Sequence, residues 1–311
     1  RRTEILDLGG GLEDIDLIAN ERSVVLVTET GYLKRMPVSE FEATSRGTRG
    51  KAGTRSQGED PVKLFIGCND HDTLLLFSDR GVSYALPAYR VPQCSRTAKG
   101  TPVVQLLPIP REEAITSLLA VSEFNDDTDL LMLTQGGFIK RTRLSAFSNI
   151  RSNGLIAIGL EDGDALTWVR LSIPGDSVLI GSKAGMTIHF RLSDDELRPL
   201  GRTARGVRSM NLRAGDELVS MDVLPVELAD QIAASADDGD DEGTPASEGP
   251  WVLVASAAGL GKRVPVTQFR LQKRAGMGLR AMKFRTDADQ LVGLSAVSYT
   301  HLRAHETMVE L

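Results

Sequence analysis

Five times along this chain a short apolar run is followed by a hydroxyl residue, two variable residues, a glycine and another apolar residue. The copies are "VVLVTETGY", "LLLFSDRGV", "LLMLTQGGF", "VLIGSKAGM" and "VLVASAAGL", opening near residues 24, 74, 130, 178 and 252. Their hydroxyls are Thr28, Ser78, Thr134, Ser182 and Ser256, and their glycines Gly31, Gly81, Gly137, Gly185 and Gly259. An internal period constrains a fold more than any local propensity does, because equivalent segments must bury equivalent faces. Each copy reads as a buried strand, a tight turn whose glycine supplies positive φ, and a returning strand, so each opens with a β-hairpin. The returning strand is often basic: Lys34-Arg35, Lys140-Arg141 and Lys262-Arg263 follow their glycines at one offset.

A second glycine follows 17 to 21 residues later, at Gly50, Gly100, Gly154, Gly206 and Gly278. Its contexts are "SRGTRG", "SRTAKG", "NIRSNG", "GRTARG" and "KRAGMG". An arginine stands four residues before it in four copies (Arg46, Arg96, Arg202, Arg274), and the third copy has Ile150 there with Arg151 beside it. In four copies an alternating strand comes next, "TPVVQL", "LIAIGL", "VRSMNL" and "LRAMKF"; in all five a run opened by an acidic residue follows, at Asp60, Glu113, Asp164, Asp216 and Asp289. Helical periodicity is scarce, so the chain is expected to be all-β. Units of about four strands repeated in series predict a propeller-like disc of about five four-stranded blades, with a sixth missing or incomplete.

The hairpin glycines are 50, 56, 48 and 74 residues apart, and the long gap contains "PVELADQIAASADDGDDEGTPASEGP". That segment carries eight carboxylates and no Lys or Arg; without it the formal charge of the 311-residue chain moves from −6 to +2. Small residues, proline and like charge leave little apolar area to offset ordering entropy, so residues 226–250 read as an acidic disordered insertion within a 1–297 domain. Residues 298–311 lack repeat character and read as a foreign or mis-assembled tail beyond a truncated sixth repeat. No apolar run reaches the length of a membrane span and no signal-peptide stretch opens the chain, which points to the cytoplasm. Cys68 and Cys94 lack metal or redox spacing. His301 and His305 make too small a set for a metal site. "SAAGLGKR", residues 256–263, resembles a phosphate loop only superficially and reads as the fifth hairpin turn.

Basic loops recurring at one equivalent position of the repeats, with the arginine in register in four of the five, make a curved basic stripe, which suits a polyanion. The candidate contacts are Arg46, Gly47, Arg49, Gly50, Lys51, Arg96, Lys99, Arg151, Arg202, Arg205, Lys273 and Arg274. Aromatic residues are only 5% of the chain and none interleaves with these loops, so double-stranded DNA held by its backbone is favoured over stacked single strands. The competing reading is a propeller serving as a protein-interaction scaffold, with the charge merely solubilising.

The order of "VVLVTETGYLKRMPVSEFEATSRGTRGKAG", "LLLFSDRGVSYALPAYRVPQCSRTAKGTPVVQLLPI" and "FIKRTRLSAFSNIRSNGLIAIGLEDGD" resembles the C-terminal domain of the DNA gyrase A subunit, or its topoisomerase IV counterpart. The resemblance implies a β-pinwheel whose blades exchange strands and whose basic rim wraps double-stranded DNA near the bacterial nucleoid. It places the family's gyrase A box, a heptad of Gln, basic, Arg, Gly, Gly, basic, Gly, on "TSRGTRG", residues 44–50. Arg46, Gly47, Arg49 and Gly50 match it, while Thr44, Ser45 and Thr48 depart, which leaves a topoisomerase IV-like role without strong wrapping as the alternative. It further implies two partners, an upstream gyrase A breakage-reunion domain and a gyrase B subunit. ATP and magnesium would be used elsewhere in the parent enzyme, with no catalytic, cofactor or metal residue in this chain.

Overall fold

A computed structural model of the chain describes residues 14–41, 60–237, 250–286 and 288–297. The first repeat contributes β1 (Arg22–Thr28), β2 (Tyr32–Pro37) and β3 (Val62–Asn69). The second contributes β4 (Thr73–Ser78), β5 (Val82–Pro87), β6 (Thr101–Pro102) and β7 (Ile115–Val121). The third gives β8 (Asp129–Thr134), β9 (Phe138–Arg143), β10 (Leu155–Ile156) and β11 (Leu166–Ser172). The fourth gives β12 (Ser177–Ser182), β13 (Met186–Arg191), β14 (Val207–Arg208) and β15 (Leu218–Leu224). The fifth gives β16 (Trp251–Ser256), β17 (Gly261–Pro265), β18 (Leu279–Arg280) and β19 (Leu291–Val297).

The five antiparallel sheets run β3-β1-β2-β6, β7-β4-β5-β10, β11-β8-β9-β14, β15-β12-β13-β18 and β19-β16-β17. The fourth strand of each complete blade is therefore donated backwards by the following repeat. Four blades carry four strands. The fifth carries three among the described residues, one fewer than the repeat count predicts, because the donor for β17 would have to come from another repeat. The donated segments are also shorter than the alternating pattern suggests: only two residues of each form a strand, and Val103–Leu106 turns into a short helix.

The apolar runs are explained by burial on both faces. On β8, Leu130 and Met132 pack towards the second blade, while Leu131 and Leu133 pack towards the fourth. On β4, Leu74 and Leu76 face the first blade, and Leu75 and Phe77 face the third. A strand sandwiched between two sheets has no polar face, so the run reads as continuous rather than alternating. The core is thus a series of layers between blades. At the centre, β3, β7, β11, β15 and β19 pack in succession, tied by hydrogen bonds such as Ser117 Oγ to Thr167 O (3.1 Å) and Ser220 Oγ to Leu294 O (2.9 Å).

The hairpin turns have the predicted chemistry. Gly31, Gly81, Gly137, Gly185 and Gly259 all have positive φ. The acidic residue that opens the last strand of a repeat caps its own hairpin. Asp60, Asp164, Asp216 and Asp289 accept the turn N–H groups of Thr30, Gly136, Ala184 and Ala258 at 2.7–3.0 Å. The hydroxyl of Thr30 also donates to Asp60 and holds its carboxyl below the usual range. In the second repeat the polarity reverses: Asp79, inside the turn, accepts from Ala114 N, and Glu113 is left to accept from the Tyr84 hydroxyl.

The acidic segment needs a correction. Val226–Asp237, placed by composition in a disordered insertion, forms a 12-residue helix. Its Ala229 and Ile232 are buried, with Ile232 and Leu228 packed into the layer between the fourth and fifth blades. Val226 N donates to Asp176, and Arg191 pairs with Asp230 at 2.5 Å. An apolar residue every third or fourth position suffices to dock a helix even in acidic company. Residues 238–249 and the 298–311 tail lie outside the described residues.

Buried charge links the blades. Arg141, 1% exposed, meets Asp129 (3.3 Å) of its own blade and Asp194 of the next repeat, and donates to Leu192 O. Removing Asp129 takes a carboxylate out of this buried network and leaves Arg141 to Asp194 and the Leu192 carbonyl, so Asp129→Ala should cost about 1.5–3 kcal/mol in chemical denaturation. Little change in the midpoint would contradict this. Gly206 has φ +97°, and a Cβ there would stand 2.5 Å from the Ile139 carbonyl oxygen. Gly206→Ala should therefore destabilise by about 1–3 kcal/mol, read by thermal unfolding.

Candidate nucleic-acid interface

Each loop that precedes a donated strand lies over the second hairpin strand of the blade before it. The second glycine is the point of closest approach: a Cβ at Gly100 or Gly278 would reach 2.5 or 2.3 Å from the carbonyl oxygen of Leu33 or Thr187. The backbone of the loop touches the backbone of the neighbouring blade there, and only glycine leaves room. From this contact outwards the side chains alternate. Arg96, Ala98 and Gly100 turn inwards while Ser95, Thr97 and Lys99 are exposed; Arg202, Ala204 and Gly206 turn inwards while Thr203 and Arg205 are exposed.

The alternation separates two kinds of basic residue that the motif presents together. The arginine four before the glycine reaches back to the previous blade. Arg96 pairs with Glu40 at 3.5 Å, Arg202 donates to Ala146 O at 2.9 Å, and Arg274 donates to Glu196 O at 2.9 Å and Arg208 O at 2.7 Å. The acceptors Glu40, Ala146 and Glu196 all belong to the helical turn that ends the previous blade's hairpin. In the third repeat Ile150 stands at this position, packed into the apolar layer between the second and third blades. These arginines are latches whose guanidinium groups are already engaged.

The residue just before the glycine points the other way. Lys99 lies 4.2 Å above the Tyr32 ring, and Arg205 lies 4.4 Å above the Phe138 ring. Tyr32 and Phe138 occupy one position, immediately after the hairpin glycine, so each aromatic face props up an outward cation of the next repeat. Arg205 also pairs with Glu161. Arg151 and Lys273 are exposed and form no ion pair among the described residues. Consecutive loops adjoin: Asn149, Arg151, Asn153, Ile156, Arg202 and Thr203 line one open groove.

Beneath two of these loops sit buried lysines. Lys34 Nζ donates to Arg96 O (2.8 Å) and Ala98 O (3.3 Å). Lys140 Nζ donates to Gly201 O (3.0 Å), Arg202 O and Ala204 O (3.1 Å). Burial pulls the Lys140 ammonium down to about 7, helped by the charge of Arg202. Burial also lowers Lys34, opposed by Cys94. The neighbouring position is structural in a parallel way: Arg35 donates to Val91 O (3.1 Å) and pairs with Asp70 (2.7 Å). His189, its counterpart, bonds Phe269 O and Ser177 Oγ, and burial holds it below the ordinary histidine value.

Arg46, Gly47, Arg49, Gly50 and Lys51, the heptad and its neighbour, lie outside the described residues. Two exposed cations join the rim that the loop motif did not single out, Arg208 and Arg280, each two residues past its glycine on a donated strand. Arg208 shares the Phe138 ring with Arg205. The period-2 pattern after the glycine was the available signal for them. Among the described residues, no helix is long and apolar enough to cross a membrane.

The family model for the DNA gyrase C-terminal domain, beta-propeller, matches residues 22–60, 72–122, 128–172, 176–225 and 250–298, which reproduces the five blades. The chain is 54% identical over 308 residues to the DNA gyrase A subunit of Synechocystis sp., covering 96% of this chain and 36% of that protein. It is 42% identical over 301 residues to the chloroplastic/mitochondrial DNA gyrase A subunit of Arabidopsis thaliana, covering 96% and 31%. It therefore spans about a third of the length of these relatives. Among solved structures, a C-terminal domain of DNA topoisomerase IV superposes with a TM-score of 0.68 at 24% identity, covering 90% of this chain and 79% of that one. A DNA gyrase A C-terminal domain superposes with 0.55 at 22%, covering 89% and 99%. With its five blades matched in order and its repeats accounted for strand by strand, this chain belongs to the family of DNA gyrase C-terminal domains.

Proposed function

We propose that this chain binds duplex DNA along its rim through the phosphate backbone, bends it without reading base sequence, and so guides DNA for a gyrase. One observation carries the reading: the last residue before the second glycine is an outward cation in two complete loops, Lys99 and Arg205, each set on an aromatic ring of the previous blade. Arg151, Arg208, Lys273 and Arg280 extend the same edge. Cations spaced along a curved edge neutralise successive phosphates and release counterions, and the additional phosphate contacts offset the cost of bending the duplex. The relatives at 54% and 42% identity are gyrase A subunits, which supports a gyrase over a topoisomerase IV parent.

In this reading the chain supplies DNA binding and no chemistry. Breakage and reunion, ATP and magnesium belong to an upstream domain and to gyrase B. The compartment is that of the DNA, the bacterial cytoplasm by analogy with the Synechocystis relative, although a plant relative is organellar. In the sequence Arg49 stands one residue before Gly50, the offset of Lys99 and Arg205 from their glycines, and Arg46 four before it, the offset of Arg96 and Arg202.

The division is testable. Lys99→Gln with Arg205→Gln should weaken binding to linear duplex and reduce the slope of log affinity against log salt by about 1.8, as expected for two lost phosphate contacts. An unchanged slope would remove these residues from the DNA path. Arg202→Met with Arg274→Met should instead lower the unfolding temperature by several degrees while leaving most of the slope intact. The opposite pattern would make the latches the DNA contacts.

A further inference from the structure

The two loops with an outward cation share more than that cation. "RTAKG" and "RTARG" are nearly the same sequence, both sit over a blade that carries an aromatic residue after its hairpin glycine, and both cover a buried lysine two residues later. Where the lysine is replaced by Tyr84 or Ile188, the overlying loops are "IRSNG" and "RAGMG", with Asn153 or Met277 in the outward position. Cage and outward cation therefore occur together.

Building on the DNA reading above, we propose that Lys34 and Lys140 are positioning residues for DNA contact, each ammonium gathering the carbonyls of a rim loop so that Lys99 or Arg205 is held towards the phosphate path. The Lys140 cage is the fuller one. Three carbonyl oxygens, from Gly201, Arg202 and Ala204, take its three protons, and the lysine is 0% exposed. No carboxylate among the described residues pairs with it. The charges around it are cations of the overlying loop, Arg202 and Arg205, with Glu161 engaging Arg205 at the loop's far end and Arg141 following it along β9. Among the described residues the Lys140 charge therefore has no carboxylate counter-ion. A phosphate over the loop supplies one, so DNA and the Lys140 proton favour each other.

The sign follows from linkage. The free disc holds Lys140 near a pKa of about 7; DNA raises it, the bound state holds more proton, and affinity falls as pH rises through the free-state value. A coupling of about half a pKa unit makes the loss ~3-fold. The effect is a ligand-linked one, distinct from simple support of the loop.

The experiment measures affinity of the full chain for a linear duplex at low salt, at pH about 6 and about 8.5, for the parent and for Lys140→Met. The parent should lose ~3-fold or more across this range, and the variant should bind more weakly with a flatter profile, so that the parent-to-variant affinity ratio falls as pH rises. NMR of lysine Nζ in the parent, with the Lys140 signal assigned through its side-chain connectivity to the backbone, should show a titration near neutrality that moves upward with DNA. A folded variant with the parent's affinity and pH profile would overturn the proposal. So would a parent Lys140 signal that DNA leaves unmoved, a result that stands even if the variant does not fold. Absence of duplex binding by the parent at every pH would overturn the DNA reading itself.

Discussion

The structure depends on a backbone contact: Gly100, Gly206 and Gly278, the second glycines of three repeats, each pressed against a carbonyl of the preceding blade, while Gly154 sits against the Val82 and Tyr84 side chains. With Gly206 seated on Ile139 and Gly278 on Thr187, two residues of the next repeat complete the previous sheet. This strand exchange makes each blade a product of two repeats. It also sets where the rim loops can be, because a loop that must deliver a strand backwards has to cross the outer edge of its neighbour. The basic rim is thus a by-product of how the blades are joined.

Joining blades engages several of the basic side chains that the repeats carry. Arg35, Arg141 and His189 occupy one repeat position and reach carbonyls of Val91, Leu192 and Phe269 in the following repeat. Arg96, Arg202 and Arg274 reach in the opposite direction. The two sets clasp the first–second, third–fourth and fourth–fifth interfaces from both sides, while Ala85 and Ile150 pack in their places between the second and third blades. Buried ion pairs gain little over apolar packing in net stability, but they define geometry and are costly to break. In a disc whose apolar layers are all alike, directional bonds of this kind keep neighbouring blades in one angular register.

Much of this was legible in the residues. The hairpins follow from a hydroxyl and a glycine at constant spacing, and the recurring acidic residue was visible as a position, though not as the cap it forms in four repeats. The loops were legible as basic and equivalent. Their internal division was not, since the arginine four before a glycine and the cation just before it look alike until the extended backbone turns one inwards and the other out. Lys34 and Lys140 were visible as basic strand residues, a pattern that ordinarily signals a solvated edge. The docked helix Val226–Asp237 was hidden by the acidic composition around Ala229 and Ile232.

By itself the sequence determined the number of repeats, their all-β character, the turns and the edge on which positive charge recurs, because each of these rests on local spacing and side-chain type. Only the tertiary structure decided which repeat completes which sheet, which cations serve the interfaces and which face outward, and that two lysines lie under the loops. Those outcomes depend on contacts between residues some 50 to 90 positions apart. No local period records such pairings, because a donated strand of two residues carries too little pattern to name its partner.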